Sequence, residues 1–148
     1  MLAPNVNSYR RYVSGSQAPV NLQWGYDNRT TGLRIPASGP AARRVENRVA
    51  GADANPYLAM AASLAAGLKG LQEQLKPSAP LTGNGYDSAH SLPRSMEEAL
   101  QAMQNSAAAR ALFGDHFVTG YCAVKALELQ SFQSEISAWE RRFLLPQV

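Results

Sequence analysis

Hydrophobic and polar positions follow two different rhythms along this chain. Up to about residue 50, apolar residues alternate with polar ones in short stretches broken by Pro, Gly and Asn, the period of half-buried strands. Three segments fit that pattern, 20–26, 31–35 and 44–49, with Asp27-Asn28-Arg29 as a turn between the first two and a Pro-bounded loop at 36–40 before the third. Beyond residue 55 the apolar spacing changes to three and four, which is helical. Asn55-Pro56 pairs an N-cap with Pro at the first helical position and predicts a helix to about Leu75. Its stripe of Leu64, Leu68, Leu71 and Leu75 is expected to pack into a core. A Pro/Gly-rich loop over 77–93 ends in Ser95-Met96-Glu97-Glu98, a capping box. Short helices follow over 96–104 and 107–113, closed by Gly114. Asp115 should cap a longer helix to about Phe132 with Phe117, Tyr121 and Val124 inward, and Ser137-Ala138-Trp139-Glu140 should box a terminal helix. The class is therefore α+β, with short antiparallel strands in the first third and a helical layer after them. Residues 57–75 and 117–132 are expected to be the best protected and 1–20 the least. The uncovered strand edges and apolar patches should favour self-association.

At 148 residues and 45% apolar content the chain has the size of one domain with its own core. Its single cysteine, Cys122, excludes an internal disulfide and fits a reducing cytoplasm. Cys122 lies in an apolar helical stretch, which reads as a buried, inert thiol. His90 and His116 stand at no metal-ligand spacing and read as surface residues. No apolar run is long enough to span a bilayer, and no membrane partner is expected.

Charge sharpens the picture. Residues 1–48 hold seven arginines, no lysine and only two acidic side chains, Asp27 and Glu46. Arginine without lysine suits planar, bidentate recognition of discrete anions more than a general electrostatic patch. The densest run is Arg43-Arg44-Val45-Glu46-Asn47-Arg48, and on a strand Arg44, Glu46 and Arg48 share one face. A carboxylate between two guanidinium groups can hold a divalent metal beside phosphate or carboxylate oxygens, and the same pattern also fits a surface ion-pair ladder. No aromatic interleaving accompanies the arginines, so nucleic acid is not the expected partner.

Six short motifs occur in order: Asn7-Ser8-Tyr9-Arg10-Arg11, Ala18-Pro19, Asn28-Arg29-Thr30, Leu33-Arg34-Ile35-Pro36, Arg44-Val45-Glu46-Asn47-Arg48 and Ala54-Asn55-Pro56-Tyr57-Leu58. Together they resemble the C-terminal part of the glutamine synthetase catalytic domain. The likeness continues through Gly83-Asn84 to Trp139-Glu140-Arg141-Arg142 and so covers essentially the whole chain. Residues 50–58 are most similar to the branch that joins glutamate to amines, such as γ-glutamylputrescine synthetase. The resemblance implies an ATP-dependent ligase in which γ-glutamyl phosphate is captured by ammonia or an amine, with Mg²⁺ or Mn²⁺ at the phosphates. On that basis Arg11, Arg29 and Arg48 would hold glutamate, and Arg29, Arg34 and Arg44 would lie by the ATP phosphates. Glu46 would ligate the metal. A ring-shaped homo-oligomer in the cytoplasm is also implied for the complete enzyme.

Two departures from the family pattern carry expectations of their own. Ammonia-using members have a glutamate just before the Ala-Pro pair of a mobile flap, whereas this chain has Gln17, which cannot act as a base. An amine or polyamine is therefore the expected nucleophile. The family also has an N-terminal β-grasp domain and a first part of the catalytic domain that supply most metal-ligating carboxylates, and Met1 matches the middle of that catalytic domain. Residues 1–148 are thus expected to be a partial domain, an arginine-rich strand and flap segment over 1–50 and a helical segment over 55–148, inactive alone. The alternative is a stand-alone remnant that binds an anion, a nucleotide or a full-length synthetase subunit without turnover.

Overall fold

The computed structural model describes residues 1–89 and 91–147, so the expectation for His90 lies outside the described residues. The chain forms two compact units, residues 1–99 and 100–148. The first contains a three-stranded sheet in the order β1 (Trp24–Tyr26), β2 (Leu33–Ile35), β3 (Glu46–Asn47). β2 and β3 are antiparallel, with Leu33 opposite Asn47 and Arg34 opposite Glu46. β1 and β2, expected to be antiparallel across the turn at 27–29, are parallel, with Trp24, Gly25 and Tyr26 beside Leu33, Arg34 and Ile35. Residues 27–32 are the reason. Asp27 adopts a left-handed backbone (φ 45°), and the buried Thr31 hydroxyl donates towards the carbonyls of Asn28 and Leu33. The segment therefore loops back to the start of β1 before β2 begins.

The strands are shorter than the alternation suggests because their flanks are bonded elsewhere. The Val20 carbonyl accepts from the backbone of Ser91 at 2.9 Å, and the buried Asn21 amide donates to the Gly85 carbonyl at 2.8 Å. The outer edge of β1 is covered by residues 78–81. Leu81 N–H donates to the Trp24 carbonyl, and Trp24 Nε1–H donates to the Ser78 carbonyl, each at 2.8 Å. Gly25 permits that approach, since a Cβ there would stand 2.9 Å from the Leu81 carbonyl oxygen.

In the first unit burial departs from the expected protection. Tyr9, Tyr12, Ala18, Val20, Val49, Leu92 and Met96 are the buried hydrophobic residues of this unit. Tyr9 and Tyr12 meet edge-on at 6.1 Å, and Tyr12 O–H donates to the Val49 carbonyl at 2.8 Å. The stretch expected to be least protected thus holds much of the core. Helix α1 (Pro56–Gln72) begins as predicted, with the Asn55 side chain accepting from Tyr57 and Leu58 N–H. It stops three residues early. Gln74 turns left-handed (φ 52°), and the N–H groups of Gln74 and Leu75 reach back to the Leu71 and Gly70 carbonyls, a Schellman ending. Its leucines are not core residues: Leu64 is 68% and Leu71 77% exposed, and no residue of α1 is buried. Asn47 in β3 nonetheless reaches α1, donating to the Ser63 hydroxyl at 2.9 Å.

Helix α2 (Met96–Gln104) starts with Ser95 Oγ accepting from Glu98 N–H, but Glu98 returns to Arg94 N–H and not to Ser95, so the box closes one residue early. In the second unit α3 (Ala107–Phe113) ends at Gly114 (φ 81°), as predicted. Gly114 also stands at the N-cap of α4 (Asp115–Ser134), while Asp115 sits in the first turn and accepts from Arg110 Nη1 at 2.8 Å. The inward face of α4 is one residue from the prediction. Val118 and Cys122 are buried, Phe117 and Tyr121 are half-buried and stack at 5.9 Å, and Val124 is exposed. Burial also pushes the Cys122 thiol up, in keeping with an inert cysteine. Helix α5 (Ala138–Phe143) carries the full capping box of Ser137 and Glu140. His116 is exposed at the start of α4. Among the described residues no helix is long and apolar enough to cross a membrane.

Candidate functional site

The sheet gathers the arginines. Register places Arg34 of β2 directly across from Glu46 of β3, and cross-strand neighbours are within side-chain reach. Arg34 Nη1 donates to Glu46 Oε2 at 2.8 Å, and Arg44 Nη2, two residues before Glu46 on its own strand path, donates to Oε1 at 3.1 Å. Arg34 Nη2 is held by the carboxylate of Asp27. Arg34 is therefore clamped between two carboxylates, and Glu46 between two guanidinium groups. The Arg34 hydrogen bond, more than that of Arg44, holds the Glu46 carboxyl below the usual range. Arg34 does the same to Asp27.

Arg48 lies just past the end of β3, where its N–H still meets the Gly32 carbonyl at 2.9 Å. Its Nη2 donates to the backbone carbonyl of Gln17 at 2.6 Å. The expected single face of Arg44, Glu46 and Arg48 is thus a direct pair, Arg44 with Glu46, and a third group turned to the flap. Burial first, then the guanidinium groups of Arg29 and Arg34, push Arg48 below its ordinary range. Arg11 spans the same corner from the other side, with Nη1 on the Val49 carbonyl (2.9 Å) and Nη2 on the Arg48 carbonyl (2.7 Å). Both of its Nη nitrogens are thus engaged by backbone carbonyls. Arg29 is exposed and makes no hydrogen bond or ion pair among the described residues. It opens onto a depression of about 460 Å³ between residues 26–29 and 80–83.

Two donors in this cluster are orphans. Arg34 Nε and Arg48 Nε are buried and have no hydrogen-bond partner among the described residues. A buried N–H on a charged group is costly to leave unmet, which sets these two donors apart from the rest of the cluster. Cation chemistry is less complete. Each Glu46 oxygen accepts one N–H and keeps one lone-pair direction, so Glu46 fits as a single metal ligand. No group of three His, Cys, Asp or Glu that could hold a metal ion is found among the described residues.

The flap position is also defined. Gln17 is exposed, with a left-handed backbone (φ 63°), and its side chain plays no part in the contacts around Arg48. The next carbonyl, of Ala18, accepts from Tyr86 O–H at 2.9 Å. Reasoning from the sequence missed Asp27, Asn28 and Tyr86. Asn28 looked like a turn residue. In fact its amide donates to the Gly83 carbonyl (2.8 Å) while its oxygen accepts from Thr30 N–H and O–H, fixing the loop that bears Arg29. Nothing in the local pattern marks Tyr86, whose partner is 68 residues away.

Sequence and fold both match a known catalytic domain. A family model described as the glutamine synthetase catalytic domain matches residues 1–144. A γ-glutamylethanolamide synthetase of Streptomyces coelicolor is 43% identical over 144 residues, covering 96% of this chain and 31% of that protein. A γ-glutamylputrescine synthetase of Escherichia coli is 42% identical over 146 residues, covering 98% of this chain and 31% of the relative. The solved structure of apo GmaS superposes with a TM-score of 0.81 at 33% identity, over 97% of this chain and 34% of that one. The chain belongs to the glutamine synthetase family, and it spans about a third of the length of the curated relatives it matches.

Proposed function

We propose that this chain supplies the substrate-binding arginine cluster of an ATP-dependent carboxylate–amine ligase that forms a γ-glutamyl amide. The observation that carries the reading is the pair of buried, unmet Nε–H donors of Arg34 and Arg48 beside the Glu46 carboxylate. In the reaction, a γ-carboxylate oxygen of glutamate bonds to the γ-phosphorus of ATP and ADP departs. The amine nitrogen then bonds to the acyl carbon, phosphate leaves, and the amine gives up a proton. Both steps gather negative charge on transferring oxygens, which fixed guanidinium groups stabilise without reorganising.

Arg48 and Arg11 hold the glutamate carboxylates, Arg29 bridges glutamate and the γ-phosphoryl group, and Arg34 and Arg44 serve the ATP phosphates. Glu46 contributes one ligand to Mg²⁺ or Mn²⁺, whose chemistry is to neutralise phosphate charge. Because one carboxylate is not a two-metal site, the chain alone binds substrate without turnover. A neutral residue at position 17 and relatives named for ethanolamide and putrescine both favour an amine over ammonia as nucleophile. The complete enzyme is a cytoplasmic homo-oligomer in this reading.

The test uses the arginine side-chain N–H resonances of the chain in a titration with L-glutamate. Arg48 and Arg11 signals should shift together, and Arg48→Lys should weaken binding by about 2–3 kcal/mol, the loss of a charge-assisted fork. With ATP, an amine and Mg²⁺ added, no phosphate should be released. Glutamate that leaves Arg48 unshifted overturns the assignment, and amine-dependent phosphate release overturns the claim that the chain is silent alone.

A further inference from the structure

The pair Asn84-Gly85 occurs once in the chain, and an asparagine followed by glycine is the dipeptide whose backbone most readily attacks a side-chain amide. We infer that Asn84-Gly85 is a latent modification site, an intramolecular deamidation that docking of Gly85 on Thr30 holds in check. The chemistry needs only water and a trace of base. The Gly85 nitrogen gives its proton to hydroxide and bonds to Asn84 Cγ, the Cγ–Nδ2 bond breaks, and ammonia departs. Water then opens the succinimide at either of its carbonyls. One opening leaves aspartate. The other leaves isoaspartate, whose main chain runs through Cβ and is one carbon longer.

The fold asks for both residues of the pair. Gly85 is buried, and a Cβ there would stand 2.5 Å from the Thr30 carbonyl oxygen, so a side chain would have to displace main chain. Asn84 caps the short turn Gly85–Asp87, its Oδ1 accepting from Tyr86 N–H at 3.1 Å. A labile pair is thus built in by the docking itself.

The same docking obstructs the reaction in three ways. Gly85 N–H donates to Thr30 Oγ1 at 2.6 Å, so its proton is not free to leave. Ring closure needs the Gly85 nitrogen eclipsed with Asn84 Cβ about the Cα–C bond, and at ψ 118° it is turned well away. The exposed Asn84 side chain is held at Oδ1 by Tyr86 and at Nδ2 by Asp87 Oδ1 at 3.4 Å. All three relax when Gly85 leaves Thr30, so deamidation follows the fraction of chains in which this segment is open.

The site is wired to the arginine loop. The Thr30 hydroxyl that accepts from Gly85 donates on to Asn28 Oδ1 at 2.7 Å, and the Asn28 amide holds the Gly83 carbonyl at 2.8 Å. The Gly85 carbonyl in turn accepts from the buried Asn21 amide at 2.8 Å. An extra main-chain carbon between residues 84 and 85 moves Gly85 out of register with Thr30 and Asn21 together. The loop that bears Arg29 then loses its anchor.

The experiment is incubation at mildly alkaline pH, with peptide mapping by mass spectrometry for aspartate and isoaspartate at position 84. The folded chain should deamidate there roughly tenfold or more slowly than the same chain unfolded in urea. Thr30→Val keeps the shape but removes the acceptor, and should quicken the reaction severalfold under native conditions. Thr30→Ser keeps the hydroxyl and should stay close to the unaltered rate. The isoaspartyl chain, isolated by chromatography, should show faster amide hydrogen exchange at Leu81, Gly85 and Ser91 than the fresh chain. Equal rates in buffer and in urea overturn the guard, whether or not the Thr30 variants fold. A folded Thr30→Val chain that is no faster overturns the part given to Thr30. Unchanged exchange in the isoaspartyl chain overturns the link to the arginine loop.

Discussion

Arg34 shows what single residues decide here. Its side chain is 12% exposed, with a carboxylate on each Nη and none on Nε. Alternation along one strand was enough to put Arg44 and Glu46 on a common face, and they do pair. It could not reveal the stronger partner, because Arg34 meets Glu46 through cross-strand register, which depends on how residues 27–32 return the chain. Asp27 read as a turn residue for the same reason. Carboxylates of this kind also set the acid limit of the chain. Hydrogen bonds from Arg34 hold Asp27 and Glu46 low, and those from the Ser8 hydroxyl (2.5 Å) and the Asn5 amide (3.1 Å) do the same for Asp53. A folded-state pKa below the unfolded one adds stability above the unfolded value, about 4, and that stability is lost as pH falls through the folded one. Calorimetry should therefore give a Tm that is level from about pH 7 to 5 and drops below about pH 4. Asp53→Asn should lower the neutral plateau and flatten the acid limb. A Tm that climbs on acidification would contradict the sign of all three shifts.

At the scale of elements, most helix starts were legible, while strand limits, the end of α1 and buried faces were not. Caps are local chemistry, written in two or three adjacent residues, and Asn55, Gly114 and the Ser137–Glu140 box all stand where the sequence put them. Which face is buried depends on what lies opposite, and periodicity is silent about that. The leucines of α1 have the right spacing for a core and are exposed, while the irregular stretch around Tyr9 and Tyr12 is buried with no periodic signal at all. Since α1 gains little from packing in this chain, its own cap matters more than usual. Asn55→Ala removes an acceptor shared by two N–H groups and should cost about 1 kcal/mol in chemical denaturation, with loss of helical signal over 56–60. An unchanged midpoint would mean that α1 is held by contacts and not by its cap.

For the molecule as a whole, the exposed stripe of α1 is the feature with the widest reach. Leu64, Leu68 and Leu71, with Leu75 just past the end of the helix, present apolar surface to solvent. Surfaces of that kind associate. Sedimentation of the chain should show a concentration-dependent rise in mass, and replacing Leu64 and Leu71 by Glu should abolish it without changing the sheet. A monomer at all concentrations would assign the stripe no role in self-association.

Long-range bonds around the sheet add a consequence in time. All three strands are complete by Asn47, but the groups that fix their flanks come from residues 78–92: Leu81 on Trp24, Gly85 on Asn21, Tyr86 on Ala18 and Ser91 on Val20. Closing loops of that length is slow relative to forming a local helix. On the ribosome, α1 is made and can fold while the arginines ahead of it are still unassembled. The flanks of the sheet that carries the cluster are thus among the last parts of the unit to be fixed. A nascent chain halted before Leu81 would already carry every arginine of the site, and would lack all four of these bonds.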